Sequence, residues 1–257
     1  PGATDAKDVR VLNRVIRWTD KGIEYEADQR HAEIVISEMG LEGAKAVGTP
    51  GLKLSEELPE DQWEPLDDSS ASRYRGLAAR VNYLAADRPD IQFSAKEISR
   101  WMSKPCVHHW EAMKRMARYL IGAGRVVQNF QWEEGHEQLT TFADSDWAGC
   151  KKTRKSTSGG AIMIGNHMLK SWATSQSVIA LSSGEAELYA MTKAASQTIG
   201  MVSMAADFGE ELRGEVKSDA SAAIGIVHRQ GLGNVRHIEV QNLWLQEKVA
   251  NHDIKVT

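Results

Sequence analysis

Three acidic residues stand out by the places they occupy. Asp144 lies in Phe142-Ala-Asp-Ser-Asp-Trp-Ala-Gly149, Glu187 in Ser182-Ser-Gly-Glu-Ala-Glu-Leu-Tyr-Ala190, and Asp219 in Ser218-Asp-Ala-Ser-Ala-Ala223. The first reads as a strand residue, the second as one in the first turns of a helix, the third as the end of a short strand. Only tertiary folding brings such positions together, and three carboxylates brought together repel one another unless a divalent cation neutralises them. Hard oxygen ligands holding one or two Mg²⁺ ions, about 3.5–4 Å apart, are what phosphoryl transfer uses to activate water and stabilise the leaving oxygen. Each acid also has a blander role open to it. Asp144 and Asp146 share a strand face by period-two alternation, so one of them can be a solvated edge charge. Ser182 to Glu185 matches the Ser-x-x-Glu capping box, which occupies Glu185 and leaves Glu187 as the better chemical candidate. Asp219 suits the N-cap of the helix that follows it.

The elements that must position these acids fill the last third of the chain. Leu139 to Ser145 reads as a strand. Ser158 to Ile164 and Met168 to Ser175 read as two more, joined in a hairpin at Gly165-Asn166. A long helix from Ser183 to Phe208 carries Leu188, Met191, Ala195, Ile199 and Val202 on one face. A short strand near Val216, helices through Ile224 and Val227 and from Val240 to Ala250, and an extended piece at Ile254 to Val256 complete an α/β order. The middle third reads as helical. Ser69 or Ser70 caps a helix bearing Tyr74, Leu77, Val81 and Leu84 that stops before Pro89. A second runs from Ile91 to Met102, and a third carries Trp110, Met113, Met116, Ala117 and Leu120 as far as Gly122. Towards the N-terminus, Val9, Leu12, Val15 and Ile16 stand at helical spacing, as do Ile34, Val35 and Met39 before Gly40. Gly48-Thr-Pro-Gly51 and the acidic stretch to Asp68 read as loop or linker.

With 257 residues the chain has room for one large or two modest domains, and 42% hydrophobic with 26% charged residues is an ordinary globular composition. Its two cysteines, Cys106 and Cys150, exclude a disulfide framework and fit a reducing compartment; neither has metal-ligand spacing. No apolar run approaches the ~18 residues of a membrane span, and no signal-peptide pattern opens the chain. The net charge of −4 hides segregation: Ser55 to Asp68 is acidic, while Arg100 to Arg125 and Lys151 to Lys155 are basic.

The acidic blocks, together with Thr153-Arg-Lys-Ser-Thr-Ser-Gly-Gly160 and Arg236-His-Ile-Glu239, resemble the ribonuclease H domain of copia-type long-terminal-repeat retrotransposon Pol polyproteins, in collinear order. Upstream, Tyr25-Glu-Ala-Asp-Gln-Arg-His31, Thr49-Pro-Gly51, Tyr74-Arg-Gly76, Tyr83-Leu-Ala-Ala-Asp-Arg-Pro-Asp-Ile91, Met102-Ser-Lys-Pro105, His109-Trp110 and Arg118-Tyr-Leu120 resemble the reverse transcriptase tail that precedes that domain. The resemblance implies an RNase H-like mixed sheet with flanking helices, preceded by a mainly helical reverse transcriptase thumb or connection segment. It divides the chain into 1–52, the end of the reverse transcriptase palm and thumb; 53–69, an acidic linker; 70–134, helical thumb or connection; and 135–257, the RNase H-like domain. The first 52 residues are expected to be partly disordered, since their helices need neighbours outside the chain.

The resemblance also implies an activity: an endonuclease that cuts the RNA strand of RNA–DNA hybrids by two-metal hydrolysis during reverse transcription, with Asp144, Glu187 and Asp219 as catalytic and metal-binding acids. Mg²⁺ is the implied cofactor, with Mn²⁺ able to substitute. The implied partners are the hybrid and the upstream polymerase domain, the setting is a cytoplasmic virus-like particle or the nucleus, and no membrane is involved. Lys151, Lys152, Arg154 and Lys155, and on a helix Lys114, Arg115 and Arg118, are candidate phosphate contacts; a solvated turn and a soluble helix face are the alternatives. Three departures stand against the family pattern. Gly184 replaces a Thr, Ala220 stands where an Asn is common, and the family's fourth acid is expected beyond Thr257. Glu239, the nearest acid with a family counterpart, reads as a packing or substrate-side residue, with a fourth metal ligand as the alternative. His237 is not assigned the product-release role of the histidine found in many ribonucleases H. The polymerase acids are absent from the chain, which excludes DNA synthesis by it alone. The competing reading is a truncated or decayed, non-catalytic fragment that binds nucleic acid or serves as a structural element.

Overall fold

A computed structural model describes residues 2, 5–51, 63–229, 231 and 240–257. The chain divides into two compact units, Pro1–Trp132 and Glu133–Thr257.

The first unit opens with an antiparallel sheet in the order β1 (Asp8–Val11), β2 (Arg14–Thr19), β3 (Gly22–Glu26), β4 (Val127–Gln131). The helical spacing of Val9, Leu12, Val15 and Ile16 therefore belongs to a hairpin. Leu12 and Asn13 both take positive φ, 49° and 64°, in a two-residue turn of the kind whose twist suits paired strands. That turn resets the strand alternation and so imitates a spacing of three. Gly22 at φ 154° is required as glycine, because a Cβ there would collide with the Phe130 carbonyl of β4.

Four helices follow: α1 (Arg30–Glu38), α2 (Asp68–Ala85), α3 (Gln92–Arg100) and α4 (Val107–Gly122). Tyr74, Leu77, Val81 and Leu84 of α2 meet Met113, Met116 and Leu120 of α4 in one core, which also takes Ala32 and Val35 of α1. Ala32 and Val35, with the partly buried Ile36, Met39 and Leu41, thus find neighbours in later parts of this same chain. The cap of α2 is Asp67, whose Oδ1 accepts from the Ser70 N–H at 3.0 Å, rather than Ser69 or Ser70.

The second unit has a five-stranded mixed sheet in the order β7 (His167–Ser175), β6 (Thr157–Ile164), β5 (Gln138–Ser145), β8 (Arg213–Lys217), β9 (Lys255–Val256). The first three strands are an antiparallel meander, and β8 and β9 add in parallel. The parallel pairing of β5 with β8 needs a crossover. The 25-residue α5 (Ser183–Asp207) supplies it, laying Leu188, Met191, Ala194 and Ala195 on Leu139, Ile162 and Val216 of the sheet. Two more helices, α6 (Ser221–Val227) and α7 (Val240–Ala250), add Ala223, Val227 and Leu245 to that core. This is the RNase H-like mixed sheet with flanking helices that the sequence implies. Among the described residues no helix is long and apolar enough to cross a membrane.

Candidate active site

Strand β5 carries Asp144 exposed, opposite Gly159 of β6, and delivers the next residue, Ser145, to the start of α5. There the helix is capped by Ser182, whose Oγ accepts from the Glu185 N–H at 3.2 Å. Glu185 is consumed by structure: its carboxylate accepts from the Leu181 N–H at 2.8 Å and from the Tyr189 hydroxyl. Two residues further along the helix, Glu187 is only 9% exposed. Its Oε1 accepts from the Ser145 N–H at 3.1 Å, and its Oε2 is buried with no hydrogen-bond partner among the described residues.

That environment raises the Glu187 pKa from 4.5 to about 7. Burial is the main cause, because it disfavours the ionised form; the Ser145 N–H acts the other way, and the charges of Asp144 and Asp219 push it up further. Asp219 stands exposed just past β8. It does not cap α6: the cap position is Ala220, with no side-chain hydrogen bond. The bland role open to Asp219 is therefore not taken. Asp146, by contrast, is not a loose edge charge, for its Oδ1 accepts from the Thr157 N–H at 2.5 Å and staples β5 to β6.

The fold thus brings Asp144 and Asp219 into electrostatic reach of Glu187. Among the described residues, however, no three His, Cys, Asp or Glu side chains are grouped closely enough to hold a metal ion. The donor chemistry still fits a hard divalent cation: three carboxylates, one of them buried with a bare oxygen, its pKa raised mainly by that burial and further by the charges of the other two. Glu239 and His237 lie outside the described residues.

Lys151, Lys152 and Arg154 are exposed and Lys155 half-buried, in a tight turn closed by the Arg154 N–H on the Cys150 carbonyl at 2.7 Å. The other basic group belongs to the first unit and is occupied there. Lys114 pairs with Glu111 at 2.9 Å, Arg115 donates to the Gly51 carbonyl at 3.0 Å and the Thr49 hydroxyl at 2.6 Å, and Arg118 donates to the Lys45 carbonyl at 2.9 Å.

Two further residues stand near these acids, Trp147 inside the block that carries Asp144 and Gln176 with no signal in the sequence. The Trp147 indole N–H donates to the Ala180 carbonyl at 3.2 Å while its ring stays 55% exposed. Gln176, just past β7, is 8% exposed and reaches three elements at once through its amide. A lone polar residue in Ser175-Gln-Ser177 has no periodicity to mark it, so only tertiary contacts single it out.

No protein-family model matches the chain. It is similar to the retrovirus-related Pol polyprotein from transposon TNT 1-94 of Nicotiana tabacum, 27% identical over 90% of this chain and 18% of that protein. It is also similar to the one from transposon RE2 of Arabidopsis thaliana, 29% identical over 72% of this chain and 12% of that protein. The chain therefore spans less than a fifth of these two polyproteins. Among solved structures, that of the foamy viral protease-reverse transcriptase dRH in complex with ds DNA covers 97% of this chain and 37% of its own, with a TM-score of 0.56. At 11% identity that likeness speaks to the fold. By sequence, the chain is a homologue of the copia-type, retrovirus-related Pol polyproteins of plant transposons.

Proposed function

We propose that residues 135–257 form a ribonuclease H-type endonuclease that cuts the RNA strand of RNA–DNA hybrids during reverse transcription, as one part of a Pol polyprotein. The observation that carries this is Glu187: a buried carboxyl, fixed to β5 by the Ser145 N–H, with a bare Oε2 and a pKa pushed to about 7 mainly by burial, with the charges of Asp144 and Asp219 adding to it. Such an arrangement is costly in a domain with no cation to bind and useful in one that binds Mg²⁺ or Mn²⁺. In this reading Asp144, Glu187 and Asp219 hold the metal, which when bound supplies Lewis-acid activation of water and neutralises charge at phosphorus. The protein's own contribution is to fix the Glu187 carboxylate against β5 and to keep Asp144 and Asp219 exposed, where a cation can reach them. The Lys151, Lys152, Arg154 and Lys155 turn holds the backbone of the hybrid. In the same reading residues 1–52 are the end of the reverse transcriptase palm and thumb and residues 70–134 the helical thumb or connection, with the upstream polymerase as partner. The setting is a cytoplasmic particle or the nucleus.

The test is cleavage of an end-labelled RNA in an RNA–DNA hybrid with Mg²⁺ or Mn²⁺. Cleavage by the wild-type chain, lost in Asp144→Asn, Glu187→Gln and Asp219→Asn variants that still fold, supports the reading. Unaltered cleavage in the variants removes the site assignment. A second reading, a non-catalytic nucleic-acid-binding or structural fragment, is favoured by the absence of a ligating group of three among the described residues. It predicts hybrid binding without cleavage at any cation concentration.

A further inference from the structure

Gln176 closes a hydrogen-bond ring around the contact that fixes Glu187. Its two Nε2–H donors are shared among the Ala186 carbonyl at 2.8 Å, Ser158 Oγ at 3.0 Å and Ser145 Oγ at 3.1 Å. Its backbone N–H donates to the Ser156 carbonyl at 2.8 Å, which anchors the residue to the start of β6. Ser145 in turn donates its N–H to Glu187 Oε1 at 3.1 Å, and its hydroxyl to the Asp146 carbonyl at 2.9 Å. One amide therefore grips both sides of the Ser145–Glu187 contact: the serine that donates, and the peptide immediately before the glutamate that accepts.

The side chain is nine-tenths buried, yet its Oε1 has no hydrogen-bond partner among the described residues, and neither has Glu187 Oε2. Buried acceptors are nearly always satisfied, so two bare ones tied into a single network call for a reason. Packing does not provide it, because an apolar side chain of the same length would fill the space without the unmet oxygen.

We propose that Gln176 is a positioning residue for the Glu187 carboxylate, holding β5, β6 and the start of α5 in the one arrangement in which that carboxylate meets its cation. The inference rests on the ribonuclease reading and deepens it. Outer-shell partners of a metal site typically set its affinity or activity by about 10- to 100-fold.

The test uses the 257-residue chain with Gln176→Ala and the isosteric, donor-free Gln176→Met. Four readouts are followed: kcat and KM for hybrid cleavage, Mn²⁺ affinity by calorimetry, melting temperature, and hydrogen exchange of the Ser145 amide. Both variants are expected to lose about 10- to 100-fold in kcat or in Mn²⁺ affinity, with KM for the hybrid held and Gln176→Met melting close to wild type. Their Ser145 amide should exchange faster. Wild-type kcat and Mn²⁺ affinity in Gln176→Met would overturn the proposal, as would losses that track melting temperature alone. If the wild-type chain does not cleave, or Glu187→Gln cleaves as well as wild type, it is the ribonuclease reading that fails. The Ser145 exchange rate then still decides the positional claim: faster exchange supports it and unchanged exchange overturns it.

Discussion

A carboxyl that keeps its proton to about pH 7 leaves a mark on stability. Below pH 4.5 Glu187 is protonated in both the folded and the unfolded chain, and the folded state carries no charge penalty. Between 4.5 and 7 the unfolded chain sheds the proton while the folded chain retains it, so rising pH favours unfolding. Above 7 the folded group is ionised too and the penalty levels off. Glu187→Gln should therefore melt increasingly above wild type from pH 4.5 to 7, by roughly 1–3 kcal/mol at the plateau. Melting curves from about pH 4 to 9 check this, and a pH-independent difference would refute it. The basic turn makes a separate prediction. With Lys151, Lys152, Arg154 and Lys155 all changed to Ala, the salt slope of hybrid binding should fall by about 0.9 for each that contacts phosphate. An unchanged slope would make them a solvated turn. Glu187 was legible in the sequence because the capping pattern of Ser182 accounted for Glu185. Gln176 was not, because its partners lie 10, 18 and 31 positions away and only the folded sheet assembles them.

Among elements, the blocks that resemble the reverse transcriptase tail hold one another. Asp87 accepts from the Tyr25 hydroxyl at 2.6 Å and from Arg14 at 2.8 Å, while Arg115 clasps Thr49 and Gly51. Arg88, 1% exposed, pairs with Asp90 at 2.6 Å and donates to the Ala123 carbonyl at 2.7 Å just past α4. It thus satisfies orphan oxygen at a helix end with a planar fork that lysine lacks. Arg88→Ala should cost about 1–3 kcal/mol in denaturant unfolding of the first unit, since it leaves the Ala123 carbonyl unmet and Asp90 with only the Tyr119 hydroxyl. Arg88→Lys should recover only part of that loss; full recovery would show that charge alone matters. The helices α2 and α4 could be read from apolar spacing because 18 and 16 residues give several turns to count. The hairpin of β1 and β2 could not: its strands have four and six residues, too few to outvote a coincidental spacing across a left-handed turn. Strand β4, of five residues, has no partner nearby in sequence to announce it.

At the scale of the whole chain, each unit has its own core, one built on α2 and α4 and the other on α5 and its sheet. Residues 133–257 expressed alone should therefore fold cooperatively, with dispersed amide resonances and a single unfolding transition. A collapsed, non-cooperative product would show that the second unit depends on the first. The order of strands, hairpin and crossover helix in that unit was legible in the sequence, because the long helix between two apolar runs admits few arrangements other than a parallel crossover. The sheet of the first unit was hidden by the distance between its pairing segments.

That distance has a consequence in time. Strand β3 takes β4 as its neighbour, pairing Gly22 with Gln131 and Glu26 with Val127. A ribosome adding roughly 5–20 residues per second needs about 5–20 s to make the ~100 residues in between. Throughout that interval the outer edge of β3 is an open row of amides and carbonyls on a nascent chain, able to accept any passing strand. The sheet is thus complete only once Gln131 has been added, and its most vulnerable moment belongs to translation rather than to the folded chain.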